Sequence, residues 1–203
     1  MKNEAIFYFD FGSPNAYMAY RVLPGLEKRT GVSFRPVPLL LGGLFKMTGN
    51  QSPFMAYANV PHKMAYERLE MERFLKRHGL SAFRMNPHFP VNTLAIMRGA
   101  VAAKAEGILA PYMEAMFHYM WEDPRKLDDP AILAATLAEA GLPTDALMAR
   151  AQEPAIKEGL MANTQAAYDH GAFGIPSFVV NGDLYFGKDR LDLIERVLTT
   201  PAP

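Results

Sequence analysis

The run Phe7-Tyr8-Phe9-Asp10-Phe11-Gly12-Ser13-Pro14-Asn15-Ala16-Tyr17 constrains this chain more than any other stretch. Aromatic residues alternate up to Phe11, which is the period of a β-strand. A helical pattern (Tyr17, Tyr20, Val22, Leu23, Leu26) begins directly after Ser13-Pro14. Serine is a favoured helix N-cap, and proline is pre-organised for the first helical position. These residues predict a strand running straight into a helix. The hydroxyl then sits at a turn where free N–H groups and the positive helix end favour an anion. Far along the chain, Gly174-Ile175-Pro176-Ser177-Phe178-Val179-Val180-Asn181-Gly182 places a proline before a β-branched strand and an Asn-Gly hairpin turn.

Between these ends the patterning predicts an α/β chain. Strands are expected over residues 5–11 and 32–38, with a helix over 14–29 between them. A β-α-β unit of this kind implies parallel strands. Residues 39–50 are apolar and punctuated by glycine, and read as a loop with one helical turn. From about residue 63 to 170 the apolar spacing is helical throughout, interrupted by Pro87, Pro90, Pro111, Pro124, Pro130, Pro143 and Pro154. Strands at 177–181 and 184–186 and a helix over 189–198 complete the expectation.

Composition narrows the chemistry. The 203 residues include no cysteine, so the chain itself supplies no thiol for disulfide exchange or zinc thiolate ligation. Lys+Arg and Asp+Glu are 21 each, so no net charge points to nucleic acid or an anionic membrane. Met1-Lys2-Asn3-Glu4 leads into a short aromatic strand without an apolar leader, and the expected location is cytoplasmic. Five histidines (His62, His78, His88, His118, His170) show no metal-binding spacing. Gly42-Gly43 is not followed by Lys-Ser/Thr, and Gly12-Ser13-Pro14 is not a G-x-S-x-G elbow. Metal, nucleotide and hydrolase-triad chemistry therefore lack support.

A strand–turn–helix with a polar group at the helix start, and a distant Ile-Pro before a hairpin, resembles the thioredoxin fold. In that fold the proline is cis and faces the active turn. Redox members carry Cys-x-x-Cys where this chain has Ser13-Pro14-Asn15-Ala16. That segment precedes three others: Leu44-Phe45-Lys46-Met47-Thr48-Gly49-Asn50, Asn59-Val60-Pro61-His62-Lys63 and Phe186-Gly187-Lys188-Asp189-Arg190-Leu191. In that order the four segments resemble the 2-hydroxychromene-2-carboxylate isomerase family, which is glutathione-dependent and similar to kappa-class glutathione transferases. The resemblance implies a thioredoxin-like sheet (residues 1–60 and 171–203) with an inserted all-helical domain (61–170), a DsbA-like arrangement. It also implies glutathione as cofactor, a small aromatic hydroxy-acid as substrate and a homodimer.

Residue by residue, Ser13 is either a plain N-cap or the group that donates its O–H to a glutathione thiolate. Ile175, ahead of the expected cis-proline, would offer a strand edge to an extended tripeptide. Phe186, Gly187, Lys188 and Asp189 open the last helix, and their backbone N–H groups suit the γ-glutamyl carboxylate. Asp189 either caps that helix or takes the γ-glutamyl ammonium. The resemblance places Lys46, Asn50 and Asn59 beside the sulfur, with Asn50 on the cofactor side and Lys46, Asn59 and Asn92 toward the substrate. Three activities stay open at this point: isomerase, conjugating transferase, and a non-catalytic peptide-binding module.

Overall fold

The computed structural model of the protein describes residues 4–200. Strand β1 (Ala5–Phe9) is buried at all five positions, which requires cover on both faces of its sheet. Its side chains alternate in direction. Phe7 and Phe9 reach Phe178 and Phe117, with ring centroids 5.4 and 5.8 Å apart. Tyr8 turns the other way, and its hydroxyl meets His170 Nδ1 at 2.9 Å.

Helix α1 (Pro14–Thr30) begins at the cap Ser13 with Pro14 in its first turn. It ends at Gly31, whose φ of 70° is the left-handed conformation that closes a helix without a Cβ penalty. Strand β2 (Arg35–Pro38) then pairs with β1 in parallel. After the helical segment, β3 (Ser177–Val180) pairs antiparallel with β1, and β4 (Asp183–Phe186) pairs antiparallel with β3. The sheet order is β2-β1-β3-β4. Asn181 and Gly182 turn the hairpin with φ of 53° and 92°, the paired left-handed residues that a two-residue turn needs.

Eight helices lie between β2 and β3: α2 (Leu41–Thr48), α3 (Pro53–Ala56), α4 (Pro61–Arg77), α5 (Leu94–Ala105), α6 (Leu109–Trp121), α7 (Pro130–Glu139), α8 (Thr144–Arg150) and α9 (Pro154–Asp169). A 3-10 turn (Lys188–Arg190) leads into α10 (Leu191–Thr199) after β4. Buried Met97, Met116, Phe117 and Trp121 of the helices share one core cluster with Phe9 and Phe178 of the sheet. The Met- and aromatic-rich α6 is thus core. Among the described residues no helix is long and apolar enough to cross a membrane.

Four expectations need correction. Strand β1 stops at Phe9, because Asp10 turns to receive backbone N–H groups. Residues 32–34 do not join β2; the Phe34 N–H donates instead to Glu27 Oε1. Residues 41–48 form a full helix where a loop with one turn was expected. The helical pattern also fails between α4 and α5, where residues 79–92 are irregular. There the buried Asn86 amide donates to the carbonyls of Met120 and Arg125 and holds the segment without a helix.

Candidate active site

The site is built where the N-terminal end of α1 meets the loop before β3. Backbone at Ser13 is extended (φ −102°, ψ 117°), as a cap requires, and its Oγ accepts from the Ala16 N–H at 3.2 Å. Across the gap the Ile175–Pro176 peptide bond is cis, and the Ile175 carbonyl lies 3.5 Å from Ser13 Oγ. At that distance the hydroxyl's own proton is barely engaged. Ser13 is only 6% exposed, so its O–H is a buried donor without a well-placed acceptor. Among the described residues the Ile175 N–H donates to nothing, and the β1–β3 ladder starts only at Ser177. The chain therefore presents an open strand edge beside a helix N-terminus.

The surroundings of this edge are fixed by contacts from three directions. Asn50, at the end of α2, donates through Nδ2 to the Phe173 carbonyl at 2.7 Å, and its Oδ1 accepts from the Gln51 N–H. Phe173 and Phe186 sit with ring centroids 4.5 Å apart. The Gly187 N–H donates to the Pro176 carbonyl at 2.9 Å, joining the end of β4 to the cis-proline. In the 3-10 turn the first internal bond is Arg190 N–H to Gly187 carbonyl, so the amides of Lys188 and Asp189 come before it and carry no internal partner.

Two details correct the expected roles in this run. The Gly187 N–H is committed to Pro176 and is not available to a ligand. Asp189 does not cap α10, whose cap position is Arg190 without a side-chain bond; its Oδ1 pairs with Lys188 Nζ at 2.7 Å. Lys188 is buried, with its ammonium 4.9 Å from the Phe74 ring centroid, whereas the Asp189 side chain is 61% exposed.

The substrate-side candidates are less closely gathered. Lys46 is exposed on α2, and Asn59 is exposed between α3 and α4. Asn92 is exposed, and its Oδ1 accepts from the Leu94 N–H at the start of α5. Among the described residues no hydrogen bond or ion pair links any of the three to Ser13 or Ile175. A cavity of about 110 Å³ opens elsewhere, among Ala95, Gly99, Tyr112, Leu133 and Leu147, and includes none of these residues. Among the described residues no group of acidic, His or Cys side chains is arranged to hold a metal ion.

Sequence reasoning missed Asp10 and Thr93. Asp10 is 1% exposed, and its carboxylate accepts from the Gly12 N–H (2.9 Å), the Leu41 N–H (2.9 Å) and Thr93 Oγ1 (3.0 Å). Burial pushes its proton affinity up, and the three donors oppose that rise. A lone acid inside an apolar alternation, just ahead of a turn, was the signal available. An aromatic wall stands beside it. Trp121 Nε1 donates to the Phe11 carbonyl at 2.7 Å, Phe83 stacks on Trp121 at 5.9 Å, and Phe89 lies between Trp121 and Phe54.

The DSBA-like thioredoxin domain model matches residues 4–199, nearly the whole chain. A curated relative, 2-hydroxychromene-2-carboxylate isomerase of Sphingobium xenophagum, is 30% identical over 200 residues, covering 95% of this chain and 96% of the relative. The chain belongs to the DsbA-like 2-hydroxychromene-2-carboxylate isomerase family. Other relatives of the family lie close by: glutathione S-transferase kappa 1 of Homo sapiens is 25% identical over 209 residues, covering 94% of this chain and 88% of that protein. A solved 2-hydroxychromene-2-carboxylate isomerase structure superposes with a TM-score of 0.81 at 24% identity, over 96% of this chain and 93% of the other. That superposition shows a common fold. Family members in these comparisons are named as isomerases and transferases.

Proposed function

We propose that this chain is a glutathione-dependent isomerase interconverting 2-hydroxychromene-2-carboxylate and trans-o-hydroxybenzylidenepyruvate. The observation that carries the reading is the pairing of an underused Ser13 hydroxyl with an open Ile175 edge in a chain without cysteine. A thiol-bearing extended peptide answers both features, and the 30% identity to an isomerase supports this choice.

In this reading Ser13 donates its O–H to the sulfur at the N-terminal end of α1, where the helix end also favours the anion. Ile175 pairs through its N–H with the peptide backbone, as an added strand would. The amides of Lys188 and Asp189 receive the γ-glutamyl carboxylate, and the free oxygen of Asp189 faces its ammonium. Asn50 holds the Phe173–Ile175 edge in place. Phe186 closes the glutathione side, Lys46, Asn59 and Asn92 take the carboxylate and phenolic oxygen of the substrate, and the partly exposed Phe54–Phe89 pair receives its ring. Glutathione held there would supply a thiolate for reversible addition at the conjugated carbon, the chemistry that makes a double bond rotatable without consuming the thiol.

A conjugating transferase is the second reading, favoured by the 25% identity to the human kappa protein. Both readings need glutathione. Calorimetric titration of the purified chain with reduced glutathione tests that requirement directly. Saturable binding is expected, and its absence would contradict both.

A further inference from the structure

Asp10 stands where the N-terminal ends of three helices converge. Its Oδ1 accepts from the Gly12 N–H, in the turn that starts α1. Its Oδ2 accepts from the Leu41 N–H, the first residue of α2, and from the hydroxyl of Thr93, the cap residue of α5. Helix α2 has Leu40 at its cap position and no side-chain cap of its own, so Asp10 serves as that cap from 31 residues away. Thr93 has the chemistry to cap α5 and does not. Its hydroxyl is diverted to Asp10, and the neighbouring Asn92 receives the Leu94 N–H instead. Among the described residues no Lys, Arg or His pairs with Asp10. A buried carboxylate without a cation needs donors and positive helix ends to stay stable, and it has both here.

These three legs are the ones that carry the chemistry. The first bears Ser13, the second bears Lys46 and Asn50, and the third begins beside Asn92. We propose that Asp10, with Thr93 as its hydroxyl partner, is the positioning residue that fixes the Ser13 turn against α2 and so sets the distance between the sulfur and the substrate-side residues. This rests on the glutathione reading for the direction of the kinetic effect, and on geometry alone for the anchoring. Packing leaves little slack in the arrangement. A Cβ placed on Gly12 would come within 2.9 Å of Thr93 Cγ2, so the turn and the start of α5 are already in contact.

Three variants test the proposal. Asp10→Asn keeps the shape but leaves one acceptor oxygen for the Gly12 and Leu41 N–H groups, so one of the two loses its partner. Thr93→Val removes only the hydroxyl, and Thr93→Ser restores it. Exchange of the Leu41 or the Gly12 amide, followed by NMR without glutathione, should accelerate about tenfold or more in Asp10→Asn, as loss of a hydrogen bond to a charged group predicts. Turnover should fall about tenfold in Asp10→Asn and Thr93→Val and return in Thr93→Ser. The glutathione KM should stay within about threefold, since the Ile175 edge does not touch Asp10. Unchanged exchange at both Leu41 and Gly12 in Asp10→Asn would overturn the anchoring. Faster exchange with wild-type turnover in Asp10→Asn and Thr93→Val would overturn the positioning role. A parent chain that binds no glutathione would overturn the reading beneath it, while the exchange result would still decide the anchoring.

Discussion

The Ser13 hydroxyl oxygen lies 3.5 Å from the carbonyl oxygen of Ile175, across 162 residues of chain. The two face each other at contact distance, one at a helix N-terminus and one on an open strand edge. Ser13→Ala removes the cap bond from Ala16 and the hydroxyl donor facing Ile175. Stability should fall by about 1 kcal/mol. Turnover should fall about tenfold or more, the scale of a lost hydrogen bond to a charged group. Thermal melts and steady-state kinetics on the same preparation check both. Full turnover would mean that Ser13 is only a cap.

Two glycines separate rigid from adjustable packing at the site. A Cβ on Gly12 would lie 2.9 Å from Thr93 Cγ2, and one on Gly174 would lie 2.9 Å from Phe186 Cε2. Thr93 is buried, β-branched and bonded to Asp10, so it cannot yield. Phe186 is 41% exposed and can swing outward. Gly12→Ala should therefore cost about 2 kcal/mol of stability, while Gly174→Ala should cost much less and act through a raised glutathione KM. Equal destabilisation of the two in denaturant melts would contradict this account.

How much of this was readable in advance follows from where each interaction is encoded. Ser13-Pro14 and Asn181-Gly182 are local signals, because cap and turn chemistry involve adjacent residues, and both elements formed where expected. Helix α2 was hidden because its sequence begins with Leu41-Gly42-Gly43, poor helix formers without a polar cap. The stabilising carboxylate arrives from β1's end. Asp10 and Thr93 are 83 residues apart and carry no shared motif. In the same way Tyr66 and Leu69 fit an apolar stripe yet are exposed at 53% and 41%, since helical spacing shows a face without showing what lies against it. The Asp189–Lys188 pair turned on side-chain direction, which spacing does not fix.

The Asn50 side chain ties α2 to Phe173, two residues before Ile175. Asn50→Ala should cost about 1 kcal/mol of stability and raise the glutathione KM more than it lowers kcat, because the edge is loosened while Ser13 stays in place. Calorimetry and kinetics together read the split. A fall in kcat with unchanged KM would place Asn50 elsewhere in the mechanism.

An acid-sensitive network braces α1 against α6. Glu122 Oε1 accepts from Tyr17 Oη at 2.8 Å and pairs with Arg21 Nη2 at 2.6 Å, and its Oε2 meets His118 Nδ1 at 3.0 Å. Burial works to raise the Glu122 pKa, but the hydrogen bonds from His118 and Tyr17 and the Arg21 charge outweigh it and hold the carboxyl below its ordinary range. The Tyr17 phenol is pushed up to about 12 by burial and by Glu122. Since folding lowers the Glu122 pKa, its contribution is complete above the unfolded value of about 4.3 and is lost as pH falls through the folded value. Glu122→Gln should therefore cost stability at neutral pH and progressively less in acid. Melting temperatures of both proteins between about pH 7 and about pH 3 should converge; parallel curves would count against the network.

The central claim is that this chain uses glutathione without consuming it, and counting thiols during turnover tests it most directly. Purified protein freed of thiol is mixed with 2-hydroxychromene-2-carboxylate and glutathione far below the substrate concentration. Formation of trans-o-hydroxybenzylidenepyruvate is followed by absorbance, and free thiol is titrated at the end. The account predicts no conversion before glutathione is added, many turnovers per glutathione afterwards, and a thiol count equal to that added. Conversion without any glutathione, or thiol lost in step with substrate, would contradict it.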